Sequence, residues 1–101
     1  MYRIFETKEY QDWLNTLTLK EKAQVHARIA RAKTEGHFGL IRRLDKNLAE
    51  FKWKNGWRIY FSLTRDEEGR IIILLLGGNK NTQFRDIKKA KSLISSLEEK
   101  E

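Results

Sequence analysis

The sequence predicts an α+β domain in which an N-terminal helical hairpin and a C-terminal helix pack on a small, twisted, mostly antiparallel sheet. Three observations carry that expectation. Residues 49–53 and 57–64 alternate apolar and polar side chains as half-buried strands do, Ile71 to Leu76 is apolar at every position, and amphipathic segments with capping residues flank this strand-rich middle. The predicted element order is β-α-α-β-β-β-α. With 101 residues, 40% of them hydrophobic, residues 1–101 suffice for one small domain with a modest core.

Tyr2 to Phe5 reads as a short first strand. Thr7 can cap a helix whose Tyr10, Trp13, Leu14 and Leu17 share one face, so that helix is expected to end near Leu17. Thr18 and Glu21 form a T-x-x-E capping box for a second helix, and Gly36 suits a left-handed stop. That helix mixes Ala23, Val25, Ala27, Ile29, Ala30 and Ala32 with Lys20, Lys22, Arg28, Arg31 and Lys33, which predicts close packing on one side and a solvated cationic surface on the other. His37 to Asn47 reads as a glycine-containing basic connector.

The register of the next hairpin can be argued from burial. A two-residue Asn55-Gly56 turn would split the aromatic residues between the two faces of the sheet. A three-residue loop, Lys54-Asn55-Gly56 with Gly56 in the left-handed bulge position, pairs Trp53 with Trp57 and gathers Phe51, Trp53, Trp57, Ile59, Phe61 and Leu63 on one face. Each large apolar side chain removed from water is worth about 1.5–3 kcal/mol, which outweighs the usual Asn-Gly preference for the shorter turn. The same register sets Lys52 directly across from Arg58, beside Glu50, Tyr60 and Ser62. Opposed cations are unfavourable by roughly 0.2–1 kcal/mol, so their placement calls for a bound anion or for a carboxylate such as Glu50.

Arg65 to Arg70 reads as a charged turn. Ile71 to Leu76 is then the expected centre of the sheet, covered on both faces, and it runs into Gly77 and Gly78. A strand ending at a glycine pair beside cations suggests an anion site, although neither a Walker nor a dinucleotide-binding spacing is present. Thr82 can cap a last helix with a buried stripe of Phe84, Ile87, Ala90, Ile94 and Leu97 and an outer face of Arg85, Lys88, Lys89 and Lys91.

Twenty-one Lys and Arg against 14 Asp and Glu give a net charge of +7, which favours contact with phosphate polymers or an acidic protein. The absence of cysteine excludes disulfides, Cys-ligated zinc and thiol chemistry and fits a reducing cytoplasm. The longest apolar stretch, Ile71 to Leu76, is too short to cross a bilayer, and no signal-like segment opens the chain, so a cytoplasmic location without membrane contact is expected.

Lys52, Arg58 and Lys80 arise on successive strands or just past one, and Lys54 lies at the hairpin between them. Such a cluster can hold a backbone phosphate and stabilise the charge of a pentacoordinate transition state. A lysine crowded by cations and partly desolvated has its ammonium form disfavoured, which suits it to act as a base. His26, mid-helix, and His37, in a loop, stand alone and read as having structural or solvent roles. Asp86 sits one turn into the last helix, where a carboxylate is favoured by the helix dipole, so for Asp86, as for Glu50, structural and catalytic roles both stand open. Trp53 and Trp57 belong to the apolar face, leaving Tyr60 free to stack on a base.

The run Leu75-Leu76-Gly77-Gly78-Asn79-Lys80-Asn81-Thr82-Gln83-Phe84-Arg85-Asp86-Ile87, continuing through Lys91, resembles the L-L-x-G-G-x-K-x-x-Q-x-x-D-I-x-x-A-K pattern of the RelE/ParE superfamily of type II toxin–antitoxin toxins, in its HigB-like addiction-module killer branch. Glu50-Phe51-Lys52 and Trp57-Arg58-Ile59-Tyr60 are similar to that branch's E-L-R and Y-R-x-Y segments, and the resemblance covers nearly the whole chain. Lys52 stands where the branch usually carries arginine, and Trp57 where it carries tyrosine, so a bidentate guanidinium clamp at position 52 is lost while the charge stays.

The resemblance implies a RelE-like fold and an endoribonuclease, an mRNA interferase that cuts mRNA on the translating ribosome without metal or other cofactor. In that chemistry the ribose 2′-hydroxyl attacks the adjacent phosphate. It implies catalytic roles for Lys52, Arg58 and Lys80 and RNA contacts from Lys54, Tyr60, Gln83 and Arg85. It further implies a cognate antitoxin protein, commonly helix-turn-helix, that inhibits the toxin through an acidic or apolar segment. Two other readings stand beside it: a ParE-like DNA gyrase poison without nuclease activity, and an inactive domain retained for antitoxin binding.

Overall fold

The caps named in the sequence for the first two helices form. In the computed structural model, which describes residues 1–99, the Thr7 hydroxyl accepts from the Tyr10 amide to start α1 (Lys8–Leu14). Thr18 and Glu21 close both halves of their capping box at the start of α2 (Leu19–Glu35), and Gly36 ends that helix at φ 71°. The first helix stops at Leu14, three residues short of the expected Leu17, because the carbonyls of Trp13 and Leu14 are taken by the amides of Thr16 and Leu17 in a tight turn leading straight into the second cap. Leu17 still packs against the core.

Five strands form one mixed sheet: β1 (Arg3–Glu6), β2 (Ile41–Asp45), β3 (Leu48–Lys52), β4 (Trp57–Asp66) and β5 (Gly69–Asn79), in spatial order β1-β5-β4-β3-β2. β1 runs parallel to β5, and the remaining pairs are antiparallel. With α3 (Gln83–Glu99), the architecture among the described residues is α+β with three α-helices, but the order is β-α-α-β-β-β-β-α. The additional strand is β2, which lies inside the segment read as a connector. Ile41-Arg42-Arg43-Leu44 lacks period-two alternation because β2 is an edge strand exposed over most of its length, so burial imposes little pattern on it. The polar turn Asp45-Lys46-Asn47 before Leu48 was its one legible signal.

The hairpin register follows the aromatic argument. Phe51 pairs with Ile59 and Lys52 with Arg58, the Trp53 amide donates to the Trp57 carbonyl, and Gly56 turns at φ 103°. Phe51, Ile59 and Phe61 are buried beneath the helical hairpin with Tyr10, Leu14, Val25, Ile29, Ile72 and Leu74, while Leu63 lies past the covered area and is exposed. Ala23, Ala27 and Ala30 are exposed, so Val25, Ile29 and Ala32 carry the packing of α2.

β4, rather than the apolar β5, is the middle strand. Tyr60 pairs with Leu76 and Phe61 with Leu74, so Leu75 is the extra residue of a β-bulge. Leu75 and Leu76 consequently both join Tyr60, Leu48 and Ala90 in a second core under α3. Ile87 and Ile94 line that helix as expected, but Phe84 is 82% exposed and Leu97 is also exposed. Among the described residues, no helix is long and apolar enough to cross a membrane.

Candidate functional site

At the end of the β3–β4 hairpin the sheet brings cations together. Lys52 lies directly across from Arg58, whose other cross-strand neighbour is Gly78 on β5. Two residues beyond Gly78, the Lys80 amide donates to the Gly56 carbonyl at 2.8 Å. The aliphatic stem of Lys80 lies over Gly56, where a built Cβ would meet it at 3.6 Å. Lys54 sits exposed in the same turn, and Lys80 is exposed beside it. Lys52, Lys54, Arg58 and Lys80 therefore share one end of the sheet.

Their availability differs sharply. Arg58 keeps only 11% of its side chain exposed, and its Nη1 donates to the carbonyls of Trp57 and Trp53 at 2.9 and 3.4 Å. Its Nε lies 3.9 Å from Glu50 and is buried without a hydrogen-bond partner among the described residues. Lys52 is half-buried. Its backbone is fixed by Arg28, which turns inward from α2 rather than joining that helix's outer cationic face. The Arg28 guanidinium donates to the carbonyls of Phe38, Lys52 and Leu40 at 3.1, 2.5 and 2.5 Å and lies 4.3 Å from the Trp53 ring centroid. Burial pulls its pKa below the usual guanidinium value.

Glu50 is completely buried. Its carboxylate accepts from Gln83 Nε2 at 2.8 and 3.0 Å and pairs with Arg42 Nε at 2.8 Å, nearer than Arg58. The like charges of Lys52 and Arg58 are thus accompanied by a carboxylate, and the cation closest to it comes from β2, which sequence reasoning missed. Gln83, expected to touch RNA, spends its amide on Glu50 and ties α3 to β3. Arg85 does point outward, with 78% of its side chain exposed.

Tyr60 corrects the expectation of a stacking residue, because it is fully buried under α3. Burial pushes its phenol well above the usual range, and the carboxylates of Glu50 and Asp86 push the same way, against Arg58 and Arg42. The Tyr60 hydroxyl has no hydrogen-bond partner among the described residues. Asp86 is also buried and accepts from the Thr82 hydroxyl, which places it in packing rather than at the surface. His26 and His37 are both exposed. Among the described residues, no three His, Cys, Asp or Glu side chains converge as a metal set would.

The glycine pair is not a phosphate cradle. β5 continues through Gly77 and Gly78 to Asn79, and neither glycine has positive φ. A Cβ on Gly77 would stand 2.0 Å from Trp13 Cδ2, and one on Gly78 would stand 2.1 Å from Asp86 Oδ2. The two glycines admit an indole on one face of the sheet and a carboxylate on the other. Asn79, rather than Thr82, makes the cap that follows: its Oδ1 accepts from the amides of Asn81 and Thr82, closing a 3-10 turn (Lys80–Thr82) before α3.

With this geometry established, the chain is found to be 37% identical over 98 residues to an uncharacterized protein of Haemophilus influenzae, across 94% of this chain and 95% of that protein. The chain belongs to the same family as that protein. No protein-family model matches the chain, and no solved structure matches it.

Proposed function

We propose that this protein is the toxin of a type II toxin–antitoxin system, a metal-independent endoribonuclease that cuts mRNA on the translating ribosome and arrests growth. The observation that carries the reading is the gathering of Lys52, Arg58, Lys54 and Lys80 at one end of the sheet. In the reaction, the 2′-oxygen forms a bond to phosphorus as the bond to the 5′-oxygen breaks, and a proton passes from the attacking hydroxyl to the leaving oxygen. Exposed Lys54 and Lys80 with half-buried Lys52 supply the positive charge that this transition state needs, and Lys52 and Lys80 are the groups placed to move protons. Arg58 fixes the hairpin end and adds charge from beneath. A net charge of +7 suits both an RNA substrate and an acidic segment of an inhibitory antitoxin, commonly a helix-turn-helix protein, in the cytoplasm.

A specific observation keeps a second reading in play. The Arg58 guanidinium is committed to backbone carbonyls and lies beside Glu50, as in a cation that supports shape. That favours a ParE-like protein that poisons DNA gyrase by binding. Mapping transcript 5′ ends shortly after induction, with and without an inhibitor that empties ribosomes of message, separates the two. New ends that vanish with the inhibitor support the ribosome-dependent nuclease. Intact transcripts with DNA-damage signalling select the gyrase poison.

A further inference from the structure

Phe84 is the least expected surface residue of this fold. It is the second residue of α3, predicted to be core, yet it is 82% exposed and the fold draws no packing from most of its ring. Its surroundings are cationic. Lys80 precedes it by four residues, Arg85 follows it, and Lys88 Nζ lies 6.0 Å from its ring centroid. Phe84, Lys88 and Lys91 form one row along α3, and Lys91 Nζ pairs with Asp45 of β2 at 3.6 Å, so this row faces the β2 side of the sheet. Gln83, immediately before Phe84, is bonded to the same carboxylate that holds Arg42. The ring therefore opens beside the end of the sheet that carries the cation cluster.

We propose that Phe84 is a stacking platform for one unpaired base of an RNA strand, with Lys80 and Lys88 holding the flanking phosphates. This rests on the RNA-cleaving reading of the neighbouring cations and names how that site grips its substrate. An apolar anchor for a protein partner is normally set in a well-packed patch shielded from water, whereas the Phe84 ring stands exposed with the Lys88 ammonium 6.0 Å from its centroid. A base requires only one flat ring with cations alongside for the backbone. Tyr60, the aromatic residue that the sequence suggested for this role, is buried, which leaves Phe84 as the ring accessible at this end of α3.

The test is fluorescence anisotropy of a labelled, single-stranded 2′-O-methyl RNA oligonucleotide, which lacks the attacking hydroxyl and stays intact. Phe84→Ala is expected to weaken binding by about five- to a hundred-fold, with an unchanged thermal midpoint and an unchanged salt slope, because no phosphate contact is lost. Phe84→Trp should restore affinity and Phe84→Leu should not. Wild-type affinity in Phe84→Ala, alongside weak binding in Lys52→Ala and Lys80→Ala, would overturn the platform and leave the cation site standing. Full affinity in Phe84→Leu would overturn stacking in favour of a plain apolar contact. Absence of RNA binding by the unaltered protein would overturn the platform, while the transcript-end mapping decides the nuclease reading separately.

Discussion

Gln83, the first residue of α3, donates its side-chain amide to both carboxylate oxygens of Glu50, at 2.8 and 3.0 Å. That one contact joins the last helix to the strand carrying Lys52, and it holds a fully buried carboxylate between Arg42 and Arg58. The same carboxylate that compensates the charges of Arg42 and Arg58 also anchors α3.

Glu50→Ala should therefore destabilise the fold more than a surface change would. Removing one member of a buried ion pair typically costs about 3–5 kcal/mol, and the lower end applies here because Arg42 is half exposed and can turn to solvent. Urea unfolding at neutral pH reads the loss. A change below roughly 0.5 kcal/mol, the range of an ordinary surface substitution, would show that Glu50 is not the anchor described.

The glycine pair makes a separate prediction. Gly77→Ala puts a methyl group into the Trp13 indole and should cost about 1–3 kcal/mol, as overpacking does. The same substitution should be much milder in a Trp13→Leu background, because the clashing atoms belong to that ring. Equal costs in the two backgrounds, measured by denaturant midpoint, would contradict the contact.

Lys52→Ala and Lys80→Ala should abolish RNA cleavage and growth arrest while shifting stability by no more than about 0.5 kcal/mol, since neither side chain is fully buried. Arg58→Ala should lose activity and also lower stability, because its guanidinium is packed against carbonyls at the hairpin end. Paired measurements of unfolding and of cleavage for the three variants check the distinction. Intact cleavage in both lysine variants would defeat the assignment of the cation cluster as the catalytic site.

At alkaline pH, Tyr10 and Tyr60 set the limit. Burial raises both phenols in the folded protein, so their contribution to stability is fully present below the unfolded phenol value of about 10 and is lost as pH rises beyond it. Stability should fall above roughly pH 10, and ultraviolet titration should show these two tyrosines ionising only as the fold opens. Ionisation of Tyr10 and Tyr60 near the free value, with the fold intact, would contradict their burial.

Local chemistry was legible in the chain because it is decided within a few residues. Thr7, Thr18 with Glu21, and Gly36 specify their helix ends, and the aromatic alternation around Lys54-Asn55-Gly56 specifies the register that faces Lys52 with Arg58. Arg42 was hidden because an exposed edge strand carries little burial pattern, and Arg28 because nothing local distinguishes a cation aimed at three distant carbonyls from one aimed at water.

The sequence by itself determined the helix caps, the hairpin register and the crowding of positive charge near the end of the sheet. Only the tertiary structure decided which of those charged and aromatic groups remain accessible. Gln83 is turned onto Glu50, Arg58 onto backbone carbonyls and Tyr60 under α3, while Phe84 is left in solvent. The physical reason is that exposure depends on where α3 lies across the sheet, and that placement is set by long-range packing and by one buried carboxylate rather than by the periodicity of any single segment.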